Sequence, residues 1–109
     1  MGYDIHITRR ANWWDDEGPE ITTAEWETVV EADAELEMVP EPPGWDGPRH
    51  WIAQMITHPP EERLGTALYW DSGEIRAKNP TDILIAKMRQ PAIALNAKVQ
   101  GDDGEYYAE

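Results

Sequence analysis

The chain has no cysteine, no phenylalanine and a single serine, and no lysine or arginine lies between Arg10 and Arg49. Without cysteine there is no disulfide, no thiolate nucleophile and no thiolate metal site, which fits a reducing compartment. The lone serine, Ser72, stands before a glycine in a turn-like stretch and outside any Gly-x-Ser-x-Gly elbow, so a serine hydrolase is not indicated. Glycine-rich phosphate loops are missing, as is any apolar run of about 20 residues that would cross a membrane. The start, Met1-Gly2-Tyr3-Asp4-Ile5-His6, carries an early acid and no apolar stretch, unlike a signal peptide or an anchor. A cytoplasmic protein is the expectation.

What is abundant is negative charge. The 109 residues carry 22 acids against 9 Lys and Arg, for a net charge of −13. The imbalance is local: residues 11–48 hold twelve carboxylates and four of the six tryptophans with no basic residue among them. Such a field disfavours nucleic acid and anionic membranes and favours a basic protein partner, whose encounter it accelerates. Solubility alone is the competing explanation. The length suits one domain, residues 1–109, able to bury roughly 60–70% of its unfolded surface. With no Phe, part of the core must come from the six Trp and four Tyr.

Tyr3, Ile5 and Ile7 alternate with Asp4, His6 and Thr8, the period of a strand with one buried face, which places His6 toward solvent. Arg9 and Arg10 follow, the only basic residues before Arg49, and are candidates to anchor part of the acidic stretch. Residues 11–20 read as a loop around Trp13-Trp14-Asp15-Asp16-Glu17. Adjacent tryptophans in a loop do not easily share one core, so at least one is a candidate to cover a sheet edge or reach a partner. The other reading has both closing over a small core.

Thr22 and Glu25 form a capping box and Ile21 can staple to Trp26, marking a helix expected to end near residues 33–36. Glu27, Glu31 and Glu35 would share a face if the helix ran that far, at about 0.2–0.5 kcal/mol of repulsion per pair. Prolines stiffen residues 40–48, with Trp45-Asp46 at the tip. Residues 49–57 read as a central strand. Residues 68–78 read as a hairpin with a Ser72-Gly73 turn, setting Trp70 opposite Ile75 and Tyr69 opposite Arg76, where a cation–π contact is possible. Its weak point is Asp71 opposite Glu74. Asn79 as N-cap with Pro80 first marks a second helix, in which Pro91 is expected to cause a kink or interruption and Asn96 to form a left-handed cap. A short strand over residues 98–100 and an acidic turn before Tyr106-Tyr107 complete the chain. The fold expected is α+β, a mainly antiparallel sheet of four to five strands with two helices on one face, in the order β-α-β-β-β-α-β.

Nothing in this pattern points to catalysis. The acids at 15–17 and 102–105 lack the spacing of a calcium loop and read as solvated turns. His6, His50 and His58 lack the helical spacing of a zinc pair. No cofactor or metal is indicated, and a non-enzyme is expected.

Several stretches carry a resemblance: Tyr3-Asp4-Ile5-His6-Ile7-Thr8-Arg9, the Trp-rich loop with Glu17-Gly18, Ile21 through Glu25-Trp26, Lys78-Asn79-Pro80, and Ala97-Lys98-Val99-Gln100-Gly101-Asp102-Asp103-Gly104-Glu105. Together they resemble a family of small, acidic, mostly uncharacterised bacterial proteins, similar in character to cytoplasmic immunity proteins. The resemblance implies a protein that occludes a basic surface or active site of a cognate toxin. The contact residues it suggests with the charge pattern are Trp13, Trp14, Asp15, Asp16, Glu17, Glu27, Glu31, Trp45 and Asp46. A small metal-dependent or carboxylate/His enzyme, and a DNA-mimic inhibitor, are the alternatives.

Overall fold

The computed structural model describes residues 3–40, 43–44, 46, 51–57, 67–78 and 80–107. The elements run β1 (Asp4–Thr8), α1 (Thr23–Ala32), β2 (Leu36–Met38), β3 (Ile52–Met55), β4 (Leu68–Asp71), β5 (Glu74–Lys78), α2 (Asp82–Ala94) and β6 (Lys98–Gly101). All six strands form one sheet in the order β2-β3-β4-β5-β1-β6, every pair antiparallel. The α+β class holds, but the sheet has six strands where four to five were expected.

The extra strand is β2, only three residues long, too short to show a period of its own. It exists through pairing, Leu36 opposite Met55 and Met38 opposite Ala53. Strand β3 is interior, as expected, yet shorter than the predicted 49–57, and Trp51 beside it has φ +56°.

Both helices lie on one face of the sheet. There Ile5 and Ile7 of β1, Ile75 and Ala77 of β5 and Val99 of β6 meet Trp26 and Val30 of α1 and Leu84, Met88 and Ala92 of α2, all buried. α1 begins as expected: the Thr22 hydroxyl accepts from the Glu25 amide at 3.1 Å and the Glu25 carboxylate accepts from the Thr22 amide, also at 3.1 Å. It ends at Ala32 with Asp33 as cap, so Glu35 leaves the face shared by Glu27 and Glu31.

α2 corrects two expectations. Its N-cap is Thr81, whose hydroxyl accepts from the Leu84 amide at 3.2 Å; Asn79 lies outside the described residues. Of the kink or interruption expected at Pro91, the interruption does not occur: the helix continues to Ala94 with Pro91 buried. Packing outweighs the one missing amide bond. Asn96 takes the left-handed conformation at φ +52°, and the Ala97 amide donates to the Ala92 carbonyl to close the helix end.

The β4–β5 hairpin has the expected register and turn, with Ser72 at φ +51° and Gly73 at φ +88°. The Asp71/Glu74 pair beside the turn is relieved by Arg76, whose Nη2 lies 3.5 Å from Asp71 and 3.9 Å from Glu74. Among the described residues no helix is long and apolar enough to cross a membrane.

Candidate functional site

The sheet face turned away from the helices carries a row of side chains that crosses the sheet through its centre. Paired positions run Ile52, Tyr69, Arg76, His6, Gln100 and Tyr106. His6 is at the middle of β1 with a neighbouring strand on each side, so this second face of β1 is also enclosed. His6 is 1% exposed, against the expectation of a solvent-facing histidine. The reason is the loop 9–20, which folds back over this face.

Hydrogen bonds to Gln100 and Asp102 help to pin that loop. The Trp13 amide donates to Gln100 Oε1 at 2.7 Å, Gln100 Nε2 donates to Asn12 Oδ1 at 3.0 Å, and the Trp13 indole N–H donates to the Asp102 carbonyl at 3.3 Å. Trp13 is thereby laid flat on the His6 ring, with centroids 4.0 Å apart and an interplanar angle of 3°.

Two carboxylates flank the imidazole. His6 Nδ1 lies 2.5 Å from Glu74 Oε2, and Nε2 lies 2.9 Å from Asp102 Oδ1. The tight turn at Ser72-Gly73 brings Glu74 to this face, and its side chain is only 4% exposed. The turn after β6 swings Asp102 back to the start of β1, where its Oδ2 accepts from the Asp4 amide at 2.9 Å. Ionised carboxylates only accept hydrogen bonds, so with both ionised the ring must donate from both nitrogens as an imidazolium. Burial pushes the Asp102 carboxyl up, but the Asp4 amide and His6 outweigh it and hold the group below the usual range.

With both ring nitrogens engaged and Trp13 on its face, His6 offers no open lone pair to a metal or a substrate. Among the described residues no set of three or more His, Asp or Glu is placed to hold a metal ion. The cluster's direct effect is positional: it fixes Trp13, and through Trp13 the loop that carries Trp14. The turn at 101–105 is not merely a solvated one, since Asp102 is part of this cluster and Glu105 accepts from the Tyr3 hydroxyl. That bond first, with burial second, pushes Tyr3 up to about 12.

The structure separates the expected contact residues. Trp13 is half-buried in the cluster, whereas Trp14 is 51% exposed, set edge-on to Trp13 and packed beside Gly104, where an added Cβ would come within 2.8 Å of the indole. Asp15 is half-buried and accepts from the Asn12 amide at 2.9 Å, while Asp16 and Glu17 are exposed. Arg9 and Arg10 anchor the far end of the loop, Arg9 to Glu25 at 2.6 Å and Arg10 to Glu20 at 2.9 Å.

Glu27, half-buried, and Glu31, exposed, line a depression of about 200 Å³ with Glu37, over Val30, Leu36 and Met38. This depression adjoins β2, at the opposite edge of the sheet from β6. Five strand spacings separate the two edges, roughly 24 Å. The described residues of 11–48 are therefore divided between separate surfaces. Asp46 is exposed, and Trp45 lies outside the described residues.

Glu74, Gln100 and Asp102 were not singled out as site residues from sequence. They stand 68, 94 and 96 positions from His6, and only the sheet register brings them together. A second buried ionic group was also missed: Lys87 Nζ of α2 lies 2.8 Å from Asp33 and 2.7 Å from Glu35, tying α2 to the end of α1. No protein-family model matches the chain, and no curated protein or solved structure matches it significantly.

Proposed function

We propose that this chain is a cytoplasmic binding protein of the immunity type, not a catalyst, which neutralises a basic toxin by occluding its active or substrate-binding surface. The observation that carries this reading is Trp14. It is a half-exposed indole flanked by Asp15 and the exposed Asp16 and Glu17, on a loop packed from beneath through Trp13 on His6. An aromatic anchor ringed by like charges, with its ordering entropy already spent on folding, is what a tight interface with a Lys- or Arg-rich surface requires. The net charge of −13 adds long-range steering toward that surface and away from nucleic acid or anionic membranes. The rival carboxylate/His enzyme is disfavoured by the burial of His6, the one histidine among the described residues.

Coexpression with the product of the adjacent gene, followed by affinity capture and titration, tests the proposal. A stable complex weakened about 30-fold or more by Trp14→Ala, and further by Asp16→Lys with Glu17→Lys, is expected. The absence of a complex, or a complex indifferent to all three changes, overturns it.

A further inference from the structure

A helix on a protein surface normally turns its polar and charged residues outward. α2 does not. Of its exposed residues only Asp82, in the first turn, is charged; the others are Ile83, Ala86, Gln90, Ile93 and Ala94. Ile83 is 61% and Ile93 70% exposed, the most exposed large apolar side chains among the described residues. The helix's basic residues are turned elsewhere: Lys87 is buried against Asp33 and Glu35, and Arg89 is half-buried and already engaged within the chain. A stripe of this kind, on so acidic a protein, is a surface that an uncharged face would cover.

Ile83, Ala86, Gln90 and Ile93 lie three, four and three positions apart, so the row has the same spacing from either end. A two-fold axis across its middle sets Ile83 against Ile93 of a second copy and Ala86 against Gln90, a small side chain opposite a long one. Asp82 then meets Ala94 of the second copy and no acid. Charge favours the same occupant. A basic partner is drawn to carboxylates, such as Glu27 and Glu31 on α1, whereas two copies at −13 each meet at least cost where neither presents its acids.

We propose that α2 is a self-association surface, on which two copies of this chain pack their α2 helices antiparallel through Ile83, Ala86, Gln90 and Ile93. The stripe is about 15 Å long. Its contact falls short of the roughly 1,200–2,000 Å² of tight complexes, so the dimer is weak, with a Kd of about 0.1–1 mM. α2 packs on the opposite face of the sheet from the His6–Trp13 cluster, so this surface is separate from the Trp14 loop and its test uses the chain alone.

Sedimentation equilibrium of the full chain, from about 10 μM to about 2 mM, should show a monomer–dimer equilibrium. Raising NaCl from about 50 mM to about 1 M cuts the screening length to about 3 Å, so the dimer should tighten at least about 10-fold. A complex with a basic partner would respond in the reverse sense. Ile83→Glu and Ile93→Glu, at positions exposed enough to leave the fold intact by circular dichroism, should each weaken the dimer at least about 10-fold. The chain has no cysteine, so Ile83→Cys mixed with Ile93→Cys reads the orientation: the mixture should form a disulfide-linked dimer faster than either variant alone. The proposal is overturned by a monomer at every concentration and salt, by a dimer that loosens as salt rises, by one indifferent to both glutamate substitutions, or by either cysteine variant linking to itself as fast as the mixture links.

Discussion

The Trp13 indole lies parallel to the buried His6 imidazole, 4.0 Å between centroids and 3° between planes. This contact couples a fully buried polar side chain of the sheet to the loop bearing the exposed Trp14. Removing the ring should therefore loosen the loop as well as weaken the core. Trp13→Ala is expected to cost about 3 kcal/mol in urea denaturation. Amide exchange should rise over residues 11–20 while α1 stays protected.

His6 Nδ1 is the nearest partner of Glu74, which is almost without solvent, with Arg76 Nη2 further off at 3.9 Å. His6→Leu leaves that buried carboxylate without its nearest hydrogen-bond partner, and a loss of about 1–3 kcal/mol is expected. The double variant His6→Leu with Glu74→Leu removes the stranded charge and should recover part of the loss. A double variant no more stable than His6→Leu would show that Glu74 is not the source of the penalty.

The acid limb of stability should carry the signature of Arg9 and Glu25. The Arg9 guanidinium first, with the Thr22 amide second, lowers Glu25 from its ordinary 4.5 to about 2. A carboxyl whose folded value is depressed adds stability above its unfolded value and loses it as pH falls toward the folded one. The stability of the native chain should decline between about pH 4.5 and 2. Glu25→Gln should flatten that part of the curve. The same substitution weakens the capping box at Thr22, so an offset at neutral pH is expected as well.

Lys87 predicts the opposite limb. Burial alone lowers its pKa, but Asp33 and Glu35 outweigh it, and the group is raised above its ordinary 10.5. A raised folded value means the contribution is complete below the unfolded value and is lost as pH climbs through the folded one. Lys87→Met should cost about 1–3 kcal/mol at pH 7 by stranding Asp33, and the gap to the native chain should narrow above about pH 10.5.

Features that depend on near neighbours were legible in the chain itself. The Thr22–Glu25 capping box, the Ser72-Gly73 turn with its cross-strand register, the left-handed Asn96 and the alternation of β1 each need only a few adjacent residues, so their chemistry is complete within a short window. The placement of Thr81 as N-cap was obscured because Asn79-Pro80 is an equally good local signal. Strand β2 could not be read, since three residues have no periodicity and pair only because Met55 and Ala53 are brought alongside.

The character of the site belongs to long-range packing. Alternation in β1 separates His6 from Ile5 and Ile7 but is silent on whether that second face is wet or covered. Covering it took a loop that returns over the sheet, a hairpin that delivers Glu74 and a terminal turn that delivers Asp102. Charge and tryptophan content marked residues 11–48 as unusual, because a long-range field depends on composition alone. Dividing that stretch into a Trp14 loop hydrogen-bonded to β6 and a distant Glu27/Glu31 depression required the strand order, which puts β6 and β2 at opposite edges of one sheet.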